Sequence, residues 1–249
     1  MTEPRVLRHD EDGLCTLTLN RPAKLNALDG QIFAELDAHL AALETQSDTI
    51  GCVVLRGAGR GFCSGADLTD IAGSTVTSKP KIIDRLAALP QPTIAAIHGV
   101  CFTGALELAL ACDFIIADCT ARFADTHGKW GLVGAWGMIQ RLPRRIGTPA
   151  AKRMMLTART VEIDEAAALR LVDQVAEAGE LNALIAQLAA AILTNSWHTN
   201  LHTKRILRET EAMPLAQALD FEEARYPGYA PDYAVRVAAF RNRRDPGNQ

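Results

Sequence analysis

The chain has 249 residues, of which 48% are hydrophobic and 22% charged, a composition typical of a globular protein with one substantial core. The formal net charge of −3 gives no electrostatic reason to expect a nucleic acid partner. No apolar run reaches the ~18–20 residues that cross a bilayer, and the first residues lack the apolar segment of a signal peptide. We therefore expect no membrane span and a cytoplasmic location.

The first half of the chain alternates between predicted strands and helices. Residues 14–19 alternate apolar and polar side chains like a strand, and Asp29 is a predicted cap for a helix that continues through Glu44. Apolar runs predict buried strands at 52–56 and 93–97, with a helix at 82–89 between them. The polar stretch 69–81 contains Gly and Pro signals and is interpreted as a lid without regular structure.

The second half becomes increasingly helical after a predicted strand at 114–117. A helix begins near Pro149 and another near residue 163, with Asp164 as its predicted cap. Four amphipathic helices are then predicted at 181–193, 197–210, 215–226 and 231–242.

The residues best suited to catalysis lie in two glycine-rich turns. The first turn, 57–68, follows the predicted strand 52–56, and the second turn, 99–104, follows the predicted strand 93–97. Each turn can present free backbone N–H groups, and the carboxylate of Glu107 follows Gly104 by about one helical turn. An oxygen that gains negative charge in a reaction would be stabilised there, beside an acid or base. The alternative is structural: the glycine serves packing, and Glu107 is a paired charge in the core.

The sequence resembles the crotonase family, the enoyl-CoA hydratases and isomerases, from about Arg5 to the C-terminal helices. The resemblance is carried by NRPAKLNAL at 20–28, GFCSGADL at 61–68, GVCFTGALE at 99–107 with ACD at 111–113, and QRL at 140–142 before RIG at 145–147. It implies an α/β fold made of a spiral of ββα turns over residues 1–190, and a helical C-terminal region at 191–249 that mediates trimer formation. It further implies binding of an acyl-CoA thioester and stabilisation of its enolate.

The resemblance assigns roles to individual residues. The backbone N–H groups of Ala66 and Gly104 match the oxyanion hole for the thioester oxygen. The implied substrate-binding residues, from the acyl-CoA segment and the early loop near the nucleotide, are Lys24, Ser64, Ala66, Asp67, Leu68, Thr69 and Gly104. Lys24, with Arg21, could equally be solvated. The resemblance also places the glycine-rich loop 128–137 in the wall of the acyl pocket. Trp136 is the implied wall residue, and Phe102 and Met138 are further candidates.

Glu107 matches the first of two glutamates with which hydratases activate water, and His127 stands where the second is expected. An imidazole can still exchange a proton near neutral pH, and Asp125 could fix its tautomer. We therefore expect an enoyl-CoA hydratase-like lyase with Glu107, His127, Ala66 and Gly104 as its catalytic groups.

Alternatives to hydration remain open at this stage. They are another enolate reaction (C–C cleavage, decarboxylation or isomerisation), an acyl-CoA binder without turnover, and a serine peptidase of related architecture. The peptidase needs a serine in the second turn, where this chain has Thr103 and Gly104. The six cysteines show no metal-ligand spacing, so we expect reduced thiols, no metal and no cofactor beyond the coenzyme A of the substrate. The expected assembly is a homotrimer or a dimer of trimers.

Overall fold

The computed structural model describes residues 3–70 and 79–244, with side chains up to residue 242. Its main sheet has six strands in the order β1-β2-β3-β4-β6-β9. β1 pairs antiparallel with β2, and every later pair is parallel. The strands are β1 (Val6–Glu11), β2 (Leu14–Leu19), β3 (Cys52–Gly57), β4 (Thr93–Ile97), β6 (Phe114–Asp118) and β9 (Gln174–Ala176).

Continuous apolar sequence explains the middle of this sheet. All five residues of β4 are buried, as are the first four of β3, because helices cover both sheet faces. One face joins the large core, and the other packs against Ile185, Ala189 and Ile192 of the helix Leu181–Leu193.

A second sheet of three short strands lies beside the first. It contains β5 (Val100–Phe102), β7 (Arg122–Ala124) and β8 (Thr160–Glu162), with β5 and β7 parallel and β7 and β8 antiparallel. The pairing of β5 with β7 places the turn at Gly104 next to residues 125–127. Three-residue strands carry no periodic signal, and the sequence did not predict them.

The predicted helices are present in their predicted order, and one further helix, Met138–Ile146, was not predicted. Asp29 caps the first helix as predicted, since its Oδ1 accepts the Ile32 N–H at 2.9 Å. The helices are α1 (Gly30–Leu43), α2 (Lys79–Ala88), α3 (Gly104–Ala109), α4 (Met138–Ile146), α5 (Thr148–Thr157), α6 (Ile163–Ala168), α7 (Leu181–Leu193), α8 (Trp197–Thr210), α9 (Leu215–Ala224) and α10 (Tyr233–Arg244). Short 3₁₀ turns occur at Pro22–Lys24 and His127–Trp130.

Two local predictions differ from the structure at the positions where the structure tests them. The predicted lid at 69–81 falls mostly on 71–78, outside the described residues, but Lys79 to Lys81 form the first turn of α2. Pro80 does not prevent this, because a proline in the first turn of a helix breaks no backbone hydrogen bond. Asp164 lies within the first turn of α6, whose cap position is Glu162.

None of the helices among the described residues has the length and apolar character needed to cross a membrane. The division into 1–190 and 191–249 stays a prediction.

Candidate active site

The two glycine-rich turns lie side by side. The Cys63 N–H donates to the Val100 carbonyl at 2.9 Å, and the Phe102 N–H donates to the Cys63 carbonyl at 3.2 Å. A Cβ built on Gly104 would lie 3.5 Å from the Ala66 nitrogen, so the two residues meet at one place. Among the described residues, neither the Ala66 nor the Gly104 N–H has a protein acceptor. The turns thus present two adjacent free donors, as an oxyanion hole requires.

Ala66 and Gly104 line a cavity of about 460 Å³. Its walls come from both turns, from α2 and from residues 126–136. Of the sequence-predicted site residues, the structure brings together at this cavity Ser64, Ala66, Leu68, Phe102, Gly104, His127 and Trp136.

Glu107 lies behind the donors on α3 and is completely buried. Its Oε1 accepts the backbone N–H groups of Trp136 and Met138, both at 3.0 Å. Its Oε2 is buried without a hydrogen-bond partner among the described residues. Burial raises the pKa of Glu107, although the two backbone N–H groups and the charge of His127 oppose the rise. A buried oxygen with no partner is costly and therefore needs an explanation.

His127 faces that oxygen. Its Nε2 lies 3.9 Å from Glu107 Oε2, and its Nδ1 lies 2.6 Å from Asp125 Oδ1. The His127 backbone N–H also donates to Asp125 Oδ1, at 3.0 Å, which fixes the ring on its partner. Burial acts to lower the pKa of His127, but the bond to Asp125 and the charges of both carboxylates outweigh it, so the pKa is raised. The pairing with Asp125 that the sequence predicts is therefore present, with Nε2 directed to Glu107.

Thr103 connects the second turn to the His127 segment, a role that the sequence did not reveal. Its hydroxyl lies 2.6 Å from the Thr126 hydroxyl and accepts the Thr126 N–H at 3.1 Å, while its own N–H donates to the Ala124 carbonyl at 2.8 Å. The backbone φ of Thr103 is +53°, which is strained for a β-branched residue. These bonds hold the strained turn that directs the Gly104 N–H into the cavity.

The comparisons with known proteins agree with this geometry. The profile of the Enoyl-CoA hydratase/isomerase family matches residues 9–246. The chain belongs to the enoyl-CoA hydratase/isomerase family.

Relatives in this family include a 1,2-epoxyphenylacetyl-CoA isomerase of Escherichia coli K12, 34% identical with 97% of each chain covered. A probable peroxisomal enoyl-CoA hydratase 1 of Arabidopsis thaliana is 32% identical over 90% of this chain and 85% of its own. The enoyl-CoA hydratase structure from Bacillus anthracis matches with a TM-score of 0.91 at 29% identity, covering 96% of each chain. The predicted crotonase fold with its helical C-terminal region is confirmed.

An aromatic wall narrows the cavity of this enoyl-CoA hydratase/isomerase family member. A Cβ on Gly104 would lie 2.5 Å from Cζ3 of Trp136. The edge of the indole ring therefore lies directly against the turn that ends at Gly104, which we call the oxyanion turn. Phe33 of α1 packs against the Trp136 ring at a centroid distance of 5.2 Å, nearly perpendicular to it. The Lys79 ammonium lies 5.5 Å and 5.6 Å from the centroids of these two rings. Neither Phe33 nor Lys79 was predicted, since both come from helices distant in sequence from the turns.

Some residues that the family resemblance suggested for substrate binding lie away from this cavity. Lys24 is exposed in the first 3₁₀ turn. Asp67 accepts from the Thr69 hydroxyl and from Arg21, both at 2.6 Å, and these contacts lower the pKa of its carboxyl. Asp67, Thr69 and Arg21 thus form a polar network that shapes the first turn, and direct contacts of these residues or Lys24 with coenzyme A stay predictions.

Two further candidates are settled by burial. Met138 was expected to line the pocket, but its side chain is completely buried, and its contribution is the N–H that binds Glu107. Cys63 lies beside the oxyanion turn and is also completely buried. Burial raises the pKa of the Cys63 thiol to about 12, so it carries no thiolate near neutral pH. No group of three or more metal-ligating side chains occurs in the described part of the chain.

Proposed function

We propose that this enzyme adds water across the 2,3-double bond of an enoyl-CoA thioester, a lyase reaction. The observation that carries the proposal is the buried Oε2 of Glu107, which has no partner among the described residues and faces Nε2 of His127 at 3.9 Å. A water oxygen about 2.8 Å from both atoms would subtend an angle of roughly 90° between them, which a water can accept. A single water at this position would therefore contact both a base, Glu107, and an acid, His127.

The reaction begins with the thioester oxygen in the oxyanion hole. The N–H groups of Ala66 and Gly104 donate to this oxygen and stabilise the negative charge that it gains as water attacks C3. Glu107 takes a proton from the attacking water, and the resulting hydroxyl bonds to C3. The electron pair of the double bond moves into the enolate.

His127 completes the addition from its protonated form. The imidazolium gives its Nε2 proton to C2, the enolate collapses, and the thioester carbonyl is restored. Glu107 then holds the proton taken from water, and His127 has lost one. Because Oε2 and Nε2 are 3.9 Å apart, beyond hydrogen-bond distance, the proton returns from Glu107 to His127 through the next water, which bridges the two atoms. The raised pKa of His127 keeps the imidazolium populated near neutral pH.

The assembly, cofactor and location also belong to this proposal. We propose a homotrimer or a dimer of trimers, supported by exposed apolar side chains of the helical C-terminal region, among them Leu215, Leu219, Tyr229, Tyr233 and Val235. The molar mass in solution tests this directly. We further propose that no cofactor beyond the coenzyme A of the substrate takes part, and that the protein is cytoplasmic, although one relative is named peroxisomal.

The test is a product analysis on a series of 2-enoyl-CoA thioesters of increasing chain length. Water addition is expected to give the 3-hydroxyacyl-CoA, with the mass of one water gained and the absorbance of the conjugated double bond lost. A product of unchanged mass with a moved double bond would instead show a double-bond isomerase and would contradict the proposal. Tight binding of the thioesters with no product would contradict the proposal and indicate a binding protein.

A further inference from the structure

A buried cation lies in the acyl part of the cavity, and the proposed reaction does not use it. The side chain of Lys79 is 5% exposed and lines the cavity from the first turn of α2. Its ammonium stands over the Trp136 ring, whose edge meets Gly104. The charge is therefore one aromatic ring away from the oxyanion turn.

The lining of the cavity is cationic. Three of its lining side chains are basic: Lys79, His127 and Lys129. The described residues that line it include no Asp or Glu. Among the described residues, the carboxylate that faces Lys79 is Asp70, whose Oδ2 lies 3.9 Å from the ammonium, beyond hydrogen-bond distance, and accepts the Gly30 N–H at 2.8 Å.

A buried ammonium without a hydrogen-bonded carboxylate requires an explanation. Burial of a lysine charge is costly unless it is paired, and methionine or leucine would fill an acyl pocket without that cost. The faces of Phe33 and Trp136 stabilise a cation and orient it, but they do not accept its hydrogen bonds in full. An anionic oxygen that arrives with the substrate would supply the missing acceptor.

We propose that Lys79 binds a carboxylate at the far end of the acyl chain, so that the substrates are CoA thioesters of dicarboxylic acids. This inference rests on the proposed function for the thioester end of the substrate and adds the chemistry of the other end. The free carboxylate accepts from the Lys79 ammonium, and the Trp136 ring, which is supported from behind by Phe33, packs against the methylene groups between the two ends. A hydrogen bond to a charged group in a site shielded from water changes an affinity by roughly 10- to 100-fold.

Binding of saturated analogues tests the inference without turnover. Dissociation constants are measured by calorimetry for glutaryl-CoA against valeryl-CoA and for adipyl-CoA against hexanoyl-CoA, pairs with equal carbon number that differ in the terminal carboxylate. For the wild-type protein we expect the dicarboxylate thioester of at least one pair to bind roughly 10-fold tighter or more. In Lys79→Met the ratio within that pair should fall to about one, and Lys79→Arg should restore part of it.

The control is Lys81→Met, which removes an exposed lysine from the same helix and should leave the ratio as in the wild type. A wild-type ratio near one in both pairs overturns the inference, whatever the variants do. A ratio that is high in the wild type and unchanged in folded Lys79→Met also overturns it, because another group then binds the carboxylate.

Turnover separates this inference from the proposed function. If the ratio depends on Lys79 but no enoyl-CoA gains water, the hydratase assignment fails and the dicarboxylate site stands. If crotonyl-CoA is hydrated and the ratio in the wild type is near one, the hydratase assignment stands and the role of Lys79 is wrong.

Discussion

Replacement of Glu107 by glutamine tests the proposed base with little change in shape. The glutamine carbonyl can take the place of Oε1 and accept the same N–H groups of Trp136 and Met138, now 3.0 Å from Glu107. The amide nitrogen then takes the place of Oε2 and cannot accept a proton from water. General base catalysis contributes ~10²- to 10⁴-fold, so kcat should fall by that factor, which corresponds to about 3–5 kcal/mol of barrier.

The assay follows water addition to crotonyl-CoA for kcat and calorimetry with butyryl-CoA for affinity. Affinity should stay within a few-fold of the wild type, because Glu107 Oε2 interacts with the water and not with the thioester in the ground state. Glu177→Gln, a change of the same chemistry at an exposed position, is the matched control. A Glu107→Gln enzyme that keeps most of its kcat would show that another group activates the water. Equal loss of affinity and kcat would place Glu107 in substrate binding.

Further predictions concern the groups around this base. Activity needs the Glu107 carboxylate and the His127 imidazolium, so kcat/KM should rise with pH as Glu107 loses its proton and fall as His127 loses its own, both with raised pKa values. Asp125→Asn removes the carboxylate charge that raises the pKa of His127 and leaves only a weaker, neutral acceptor for the ring, so the descending limb of the pH profile should move to lower pH; an unmoved limb would mean that another group titrates. Gly104→Ala places a Cβ 2.5 Å from the Trp136 ring, so kcat should fall about 10-fold or more in a folded protein, and full activity would refute the contact of that ring with the oxyanion turn. Thr103→Gly relieves the positive φ but loses the hydroxyl; if the hydroxyl positions the His127 segment, kcat should fall without a loss of thermal stability, and unchanged kcat with a shift of Tm alone would show a purely structural role.

The part of the site that is local in sequence could be predicted. Glu107 follows the Gly104 donor by three residues, and helical geometry alone puts both at one end of α3. Asp125 and His127 are two residues apart, and their pairing followed from the same kind of reasoning. The buried strands β3 and β4 were recognisable because both faces are covered and their sequences are apolar throughout.

The part of the site that depends on distant pairs could not be predicted. Thr103 and Thr126 meet because β5 pairs with β7, and each of these strands has three residues with no periodic pattern. Lys79 follows a stretch rich in turn signals, so a cation packed against Phe33 had no sequence signature. The helix α4 also begins after a glycine-rich loop that favours irregular structure, and its first N–H group is one of the two that hold Glu107.

His127 stands where a second glutamate is expected, and this difference changes the charge of the catalytic centre. The changed charge accounts for the charges of the residues around it. Two carboxylates around one water repel each other, and one of them must hold a proton. Here Glu107 faces an imidazolium, whose charge opposes the rise that burial causes in the pKa of Glu107, and Asp125 holds the ring from its other side. A site with His127 and Lys79 on its walls and no lining carboxylate among the described residues attracts anionic acyl groups that a pair of glutamates would repel. The histidine at the catalytic position and the lysine in the acyl pocket are therefore consistent with one substrate class, and His127→Glu should lower the affinity for glutaryl-CoA more than for valeryl-CoA. If calorimetry shows that His127→Glu lowers the affinity for both thioesters equally, His127 does not contribute to recognition of the second carboxylate, and the two residues are not linked by one substrate class.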